Sequence, residues 1–183
     1  MLITFTGESG SGKSTIARSL INLGDFYFVT STTTRSARAT DLFNEYEYVS
    51  QEEFKQLKHE AAFIWDVSYK GNSYGTKFDY LNLALESINA YYILIVIPDV
   101  LPILLQHSKE INDVIPFFVR TPAESVLRKR MKERGDSTES IEKRLQNLGV
   151  WEIEAETSQI LYRFITNEDS IEDAVKQVLD YLK

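Results

Sequence analysis

The chain has no cysteine, only two histidines and no excess of basic residues. Without cysteine there is no disulfide and no thiolate metal site, which fits a reducing, cytoplasmic setting. His59 and His107 lie far apart and form no ligand pattern. A net charge of −7 weighs against non-specific nucleic-acid binding, though a local basic pocket could still hold a small anion. Long apolar runs are also lacking. The one membrane candidate, residues 91–105, is too short to span and carries Asp99 and two prolines. A buried parallel strand leading into a helix accounts for it. No basic leader precedes the first apolar run, so no secretory signal is expected. What remains is globular in composition: 43% hydrophobic and 26% charged over 183 residues, enough for one α/β domain with small insertions.

Residues 7–14 read Gly-Glu-Ser-Gly-Ser-Gly-Lys-Ser, a full match to the phosphate-binding loop G-x-x-x-x-G-K-[ST]. Glycines let backbone N–H groups turn inward around nucleotide phosphates. Lys13 can reach the β/γ oxygens, and the Ser14 hydroxyl can ligate Mg²⁺. The flanks agree: residues 1–6 suit a buried strand and 15–22 a helix whose N-terminus faces the anion.

Beyond this unit, a polar run at 30–41 precedes a strand-like piece at 46–49. Ser50 and Glu53 have capping-box spacing for a helix to about Glu60. A strand is expected over 62–70, with a turn at Gly71-Asn72. Further helices are expected over 81–89 and 101–110, and core strands over 92–97 and 115–119. Thr121, Pro122 and Glu124 read as N-cap, N1 and N3 of a helix that ends near Arg134 and Gly135. A long helix from 137 or 138 to 157, a strand over 161–166 and an amphipathic helix over 170–182 complete the chain. Alternating strands and helices argue for a parallel sheet covered on both faces.

Arginines form two groups. Arg35 and Arg38 stand among hydroxyls in Ser31-Thr-Thr-Thr-Arg-Ser-Ala-Arg38, a composition suited to an anion because the guanidinium fork matches phosphate oxygens. Arg128, Arg130, Arg134 and Arg144 form the second group. Arg130 and Arg134 share a helix face by their spacing; alone, such charges read as a solvated surface.

The ordered series 7–14, 31–38, Tyr46-Glu-Tyr-Val-Ser50, Gly71-Asn-Ser-Tyr-Gly-Thr76, Arg130-Met-Lys-Glu-Arg-Gly135, Lys143-Arg-Leu145 and Ile165-Thr-Asn167 resembles the guanylate kinase family over nearly the whole chain. That resemblance implies a three-layer P-loop NTPase α/β fold with a parallel core sheet. It also implies a core at 1–30, 81–119 and 151–183, a small α+β monophosphate-binding subdomain at 31–80 and a helical lid at 120–150. Its expected ligands are ATP, Mg²⁺ and a nucleoside monophosphate, most simply GMP or dGMP. Gly7, Ser9, Gly10, Ser11, Gly12, Lys13, Ser14, Thr15 and Asn167 would meet ATP, with Ser14 on the metal. Arg35, Arg38, Tyr46 and Tyr74 would hold the acceptor phosphate. Ser31, Thr76 and Asp66 would lie at its base. Lys13, Arg130, Arg134 and Arg144 would act on the transferring group.

Two positions depart from the family pattern. Trp65 stands where these kinases usually carry a glutamate, and Asp66 follows it. Neighbouring strand residues face opposite sides, so Asp66 points away unless a bulge shifts the register. Ile95 and Ile97 occupy core-strand positions that are usually acidic. Two alternatives therefore stay open: the same fold with another phosphorylated acceptor, or a non-catalytic nucleotide-binding module.

Overall fold

The computed structural model describes all residues except 40, 70, 88, 109–112, 147 and 169. Single expected positions at Thr40, Lys70, Ile88 and Asn147, and the end of the expected helix at 109–110, therefore lie outside the described residues. The described strands are β1 (Leu2–Thr6), β2 (Phe26–Phe28), β3 (Ser31–Thr33), β4 (Tyr46–Tyr48), β5 (Phe63–Tyr69), β6 (Asn72–Lys77), β7 (Tyr91–Ile95), β8 (Val114–Val119) and β9 (Arg163–Ile165). Between them run α1 (Lys13–Ile21), α2 (Gln51–His59), α3 (Phe78–Glu86), α4 (Leu101–His107), α5 (Glu124–Glu133), α6 (Thr138–Leu145), α7 (Val150–Thr157) and α8 (Ile171–Tyr181). A five-stranded sheet has the order β2-β7-β1-β8-β9, and its β2–β7 and β8–β9 pairs are parallel. β1 and β8 are buried along their whole lengths, as strands covered on both faces must be. A second sheet has the order β4-β3-β6-β5.

Internal packing divides the chain into two compact units. The first comprises Met1–Ile3, Gly24–Leu94 and Asp99–Val114 and holds the four-stranded sheet. Here α2 packs on β5, with Phe54 stacked on Phe63 at 4.7 Å. The second comprises Thr4–Leu23, Ile95–Pro98 and Ile115–Lys183. In it α1 packs on α8, which buries Ala174, Val175 and Val178. Leu127 and Met131 of α5 close a small core with Ile141 of α6.

Three expectations change. The polar run contains the short strand β3, because Ser31–Thr33 pairs with both β4 and β6. α5 starts at Glu124 rather than from a Thr121 cap, since the extended residue directly before the helix is Ala123, two positions beyond Thr121. The long helix expected to reach 157 is two, α6 and α7. Gly149 separates them at φ 84°, a left-handed conformation that only glycine adopts without strain.

Candidate active site

In the second unit, the loop after β1 leads directly into α1. Gly12 sits at φ 104°, and a Cβ there would lie 2.0 Å from the Asn167 side-chain nitrogen, so only glycine fits. The first intrahelical bond runs from the Ile16 N–H to the Gly12 carbonyl, so the N–H groups of Ser14 and Thr15 precede the helix's own hydrogen-bond ladder and face the loop's anion site. No acidic residue stands in that turn to compete.

Lys13 lies over this loop, its ammonium donating to the carbonyls of Gly7 at 2.7 Å and Glu8 at 2.8 Å. Arg130 of α5 donates to the carbonyls of Gly10 and Ser11, each at 3.4 Å, and to that of Asn167 at 3.0 Å. Arg144 of α6 donates to the Ser9 hydroxyl and, at 3.2 Å, to Ser140. Three cations that the sequence scatters over 132 positions thus meet on one short loop. Arg134 differs: its guanidinium pairs with Asp136. The Asn167 amide is spent on the loop itself, donating to the Ser11 carbonyl at 2.8 Å. Asn167 thus braces the cradle. Ser14 and Thr15 open α1, and among the described residues the Ser14 hydroxyl makes no hydrogen bond. Such a hydroxyl fits as a ligand for magnesium, a hard cation that takes oxygen donors and needs few of them from the protein.

In the first unit, the four-stranded sheet has two chemically different faces. Register pairs Ser31 with Tyr46, Thr33 with Tyr74 and Trp65 with Thr76, so these side chains share one face. Ser31 and Thr76 hydroxyls lie 3.5 Å apart. Trp65 is 5% exposed, and among the described residues its indole N–H has no hydrogen-bond partner. The Arg35 guanidinium lies 4.8 Å from the centre of the Tyr46 ring.

Asp66 lies on the opposite face, opposite Gly75, and pairs with Lys58 at 2.5 Å. The register irregularity falls between Phe63 and Trp65, upstream of Asp66, so alternation carries the carboxylate away from Ser31 and Thr76. This corrects the expectation that Asp66 lines the base site. On that same far face Glu47 accepts from Thr32 and Lys77, both at 2.8 Å.

Arg35 is committed to Asp41 at 3.0 Å, and both side chains are only 9% exposed. The same Asp41 oxygen accepts from the Arg38 N–H at 2.7 Å and the Tyr48 hydroxyl at 2.6 Å. Burial alone would raise the Asp41 pKa, yet these donors hold it below the usual carboxylate range. Burial would ease the proton off Arg35, and the Asp41 carboxylate more than reverses that. Partial burial and the bond to Asp41 push the Tyr48 phenol up to about 12. The Arg38 side chain is exposed and has no ion pair among the described residues. Sequence reasoning missed Asp41 and Tyr48. Tyr48 carried a usable signal, since alternate strand residues share a face and Tyr46 was already a candidate.

Loop, helix and strand order together define an α/β P-loop kinase fold. A crystal structure of guanylate kinase from Anaplasma phagocytophilum matches it with a TM-score of 0.73 at 23% identity, covering 100% of this chain and 84% of that one. A gluconokinase from Sinorhizobium meliloti 1021 matches more loosely, with a TM-score of 0.53 at 15% identity over 98% and 90% of the two chains. The family model described as guanylate kinase covers residues 1–183. A guanylate kinase of Prochlorococcus marinus subsp. pastoris is 30% identical over 189 aligned positions, 100% of this chain and 96% of its own length. Another, from Trichormus variabilis, is 34% identical over 152 positions, 79% of this chain and 72% of its own. The chain belongs to the guanylate kinase family.

Proposed function

We propose that this protein transfers the terminal phosphoryl group of ATP to GMP, giving GDP and ADP. The observation that carries the reading is the meeting of Lys13, Arg130 and Arg144 on the phosphate loop. Phosphoryl transfer asks little covalent chemistry of a protein; it asks for aligned reactants and neutralised charge. Backbone amides at the start of α1 bind the donor phosphates. Lys13, Arg130 and Arg144 exchange their loop oxygens for phosphoryl oxygens as charge spreads over them. Ser14 would hold a magnesium ion, which would supply further charge neutralisation. Arg35, Arg38, Tyr46 and Tyr74 take the acceptor phosphate, and Ser31 and Thr76 lie at its base. ATP as donor goes with a cytoplasmic setting.

A second reading keeps the reaction and changes the acceptor. Trp65 favours it, because an indole stands on the acceptor face while the nearby carboxylate of Asp66 lies on the far one. One assay separates the two: ATP consumption with each of a panel of nucleoside and sugar monophosphates. Fastest turnover with GMP supports the first reading, and turnover confined to another acceptor supports the second. Nucleotide binding with no turnover on any acceptor rejects both.

A further inference from the structure

One oxygen of Asp41 collects three donors: the Arg35 guanidinium at 3.0 Å, the Arg38 N–H at 2.7 Å and the Tyr48 hydroxyl at 2.6 Å. That is the surrounding of a bound phosphate oxygen, built here from the protein's own carboxylate. The ion pair is nearly sealed from solvent, each side chain being 9% exposed. Its cation lies against Tyr46 at 4.8 Å. A buried arginine without such a carboxylate would attract any small dianion. We propose that Asp41 is an internal stand-in for the acceptor phosphate, holding Arg35 until the monophosphate arrives and then giving way to it. The inference rests on the assignment of Arg35 to the acceptor.

Two consequences separate a stand-in from a mere brace. The carboxylate competes with every anion that seeks Arg35. It therefore raises the acceptor concentration needed for half-saturation and screens out ions lacking a base to add binding energy. A dianion brought against a carboxylate a few ångströms away meets repulsion on the scale of about a tenfold change in binding, more where water is excluded. A brace does the opposite: it aligns Arg35, and its removal weakens acceptor binding.

The experiment uses the whole chain, steady-state kinetics and inorganic phosphate as the probe anion. In Asp41→Asn, the KM for GMP is expected to fall about tenfold while that for ATP stays within about twofold. Inorganic phosphate, a weak competitor of GMP in the parent protein, is expected to inhibit about tenfold more tightly. Asp41→Glu, which keeps the charge, should resemble the parent in its phosphate inhibition. Tyr48→Phe removes one donor at a partly exposed position and should shift both constants the same way by about threefold; it decides the matter if Asp41→Asn fails to fold. A KM for GMP that rises in either variant, or phosphate inhibition that does not tighten, overturns the inference. Absence of turnover with GMP in the parent overturns instead the functional reading beneath it.

Discussion

Lys13 illustrates how a single residue is prepared for a phosphate. Its ammonium satisfies two loop carbonyls at 2.7 and 2.8 Å, so it is held in place and not left to wander. A phosphate arriving at the amides of α1 offers the same cation charged oxygens in place of neutral ones, which strengthens the bond. Lys13→Ala keeps the loop glycines and the α1 amides but removes that charge. A loss in kcat on the order of 10²-fold or more is expected, the scale of deleting one preorganised transition-state donor. Coupled ADP detection checks it, and unchanged turnover would remove Lys13 from the mechanism. Arg38 tests the other substrate. Its guanidinium is exposed and unpaired among the described residues, so truncation leaves no buried charge behind. Arg38→Ala should raise the KM for GMP about tenfold, the value of one charge-assisted bond, and leave that for ATP within about twofold. A defect confined to ATP would assign the arginine to the wrong nucleotide.

At the scale of elements, local chemistry explains what could be read in advance. Ser50 and Glu53 announced α2 by their spacing, and the capping box forms: the Glu53 N–H donates to Ser50 at 3.1 Å and the Ser50 N–H to Glu53 at 2.7 Å. Ser50→Ala should cost about 1 kcal/mol and lower Tm by about 2–4 °C in a chain of this size. Thermal unfolding followed by circular dichroism reads it, and a null result would show that α2 depends on Phe54 packing alone. The phosphate loop was legible for the same reason, since each fixed position meets a local demand. What escaped the sequence depends on distant partners. β3 is a strand because β4 and β6 flank it, while its own Ser-Thr-Thr composition reads equally well as loop. Thr121 is no cap because α5 begins only after Ala123, and its N–H is instead held by Glu152, 31 positions away. The site divides along the same line. Lys13 and Arg35 stood in recognisable patterns, whereas Asp41 meets Arg35 only through a folded loop. Asp66 was misplaced because the bulge that could have turned it falls one step too early.

Over the whole molecule, the shifted groups set a stability profile against pH. Asp41, Glu53, Glu142, Glu152 and Asp180 all sit below their ordinary values. Unfolded, the aspartates return to 3.8 and the glutamates to 4.5. Below pH 4.5 the unfolded chain therefore binds protons first, and stability falls as the pH drops toward the folded values. At the alkaline end the sign reverses. Burial raises Tyr46, and Tyr48 reaches about 12 against 10.0 when unfolded, so the folded chain keeps protons that the unfolded chain gives up. Their contribution is complete below pH 10 and fades above it. Between these limbs, burial holds the Met1 ammonium below its ordinary 8.0, so the unfolded state is the more protonated and stability climbs slightly toward pH 8. Urea unfolding measured from pH 3 to pH 11 should trace a shallow maximum near neutrality with a falling limb at each end. Asp41→Asn should flatten the acid limb, because one of the groups that must be protonated there is gone. A parent protein most stable below pH 4, or an acid limb unchanged in Asp41→Asn, would mean that these carboxylates do not keep their donors in solution.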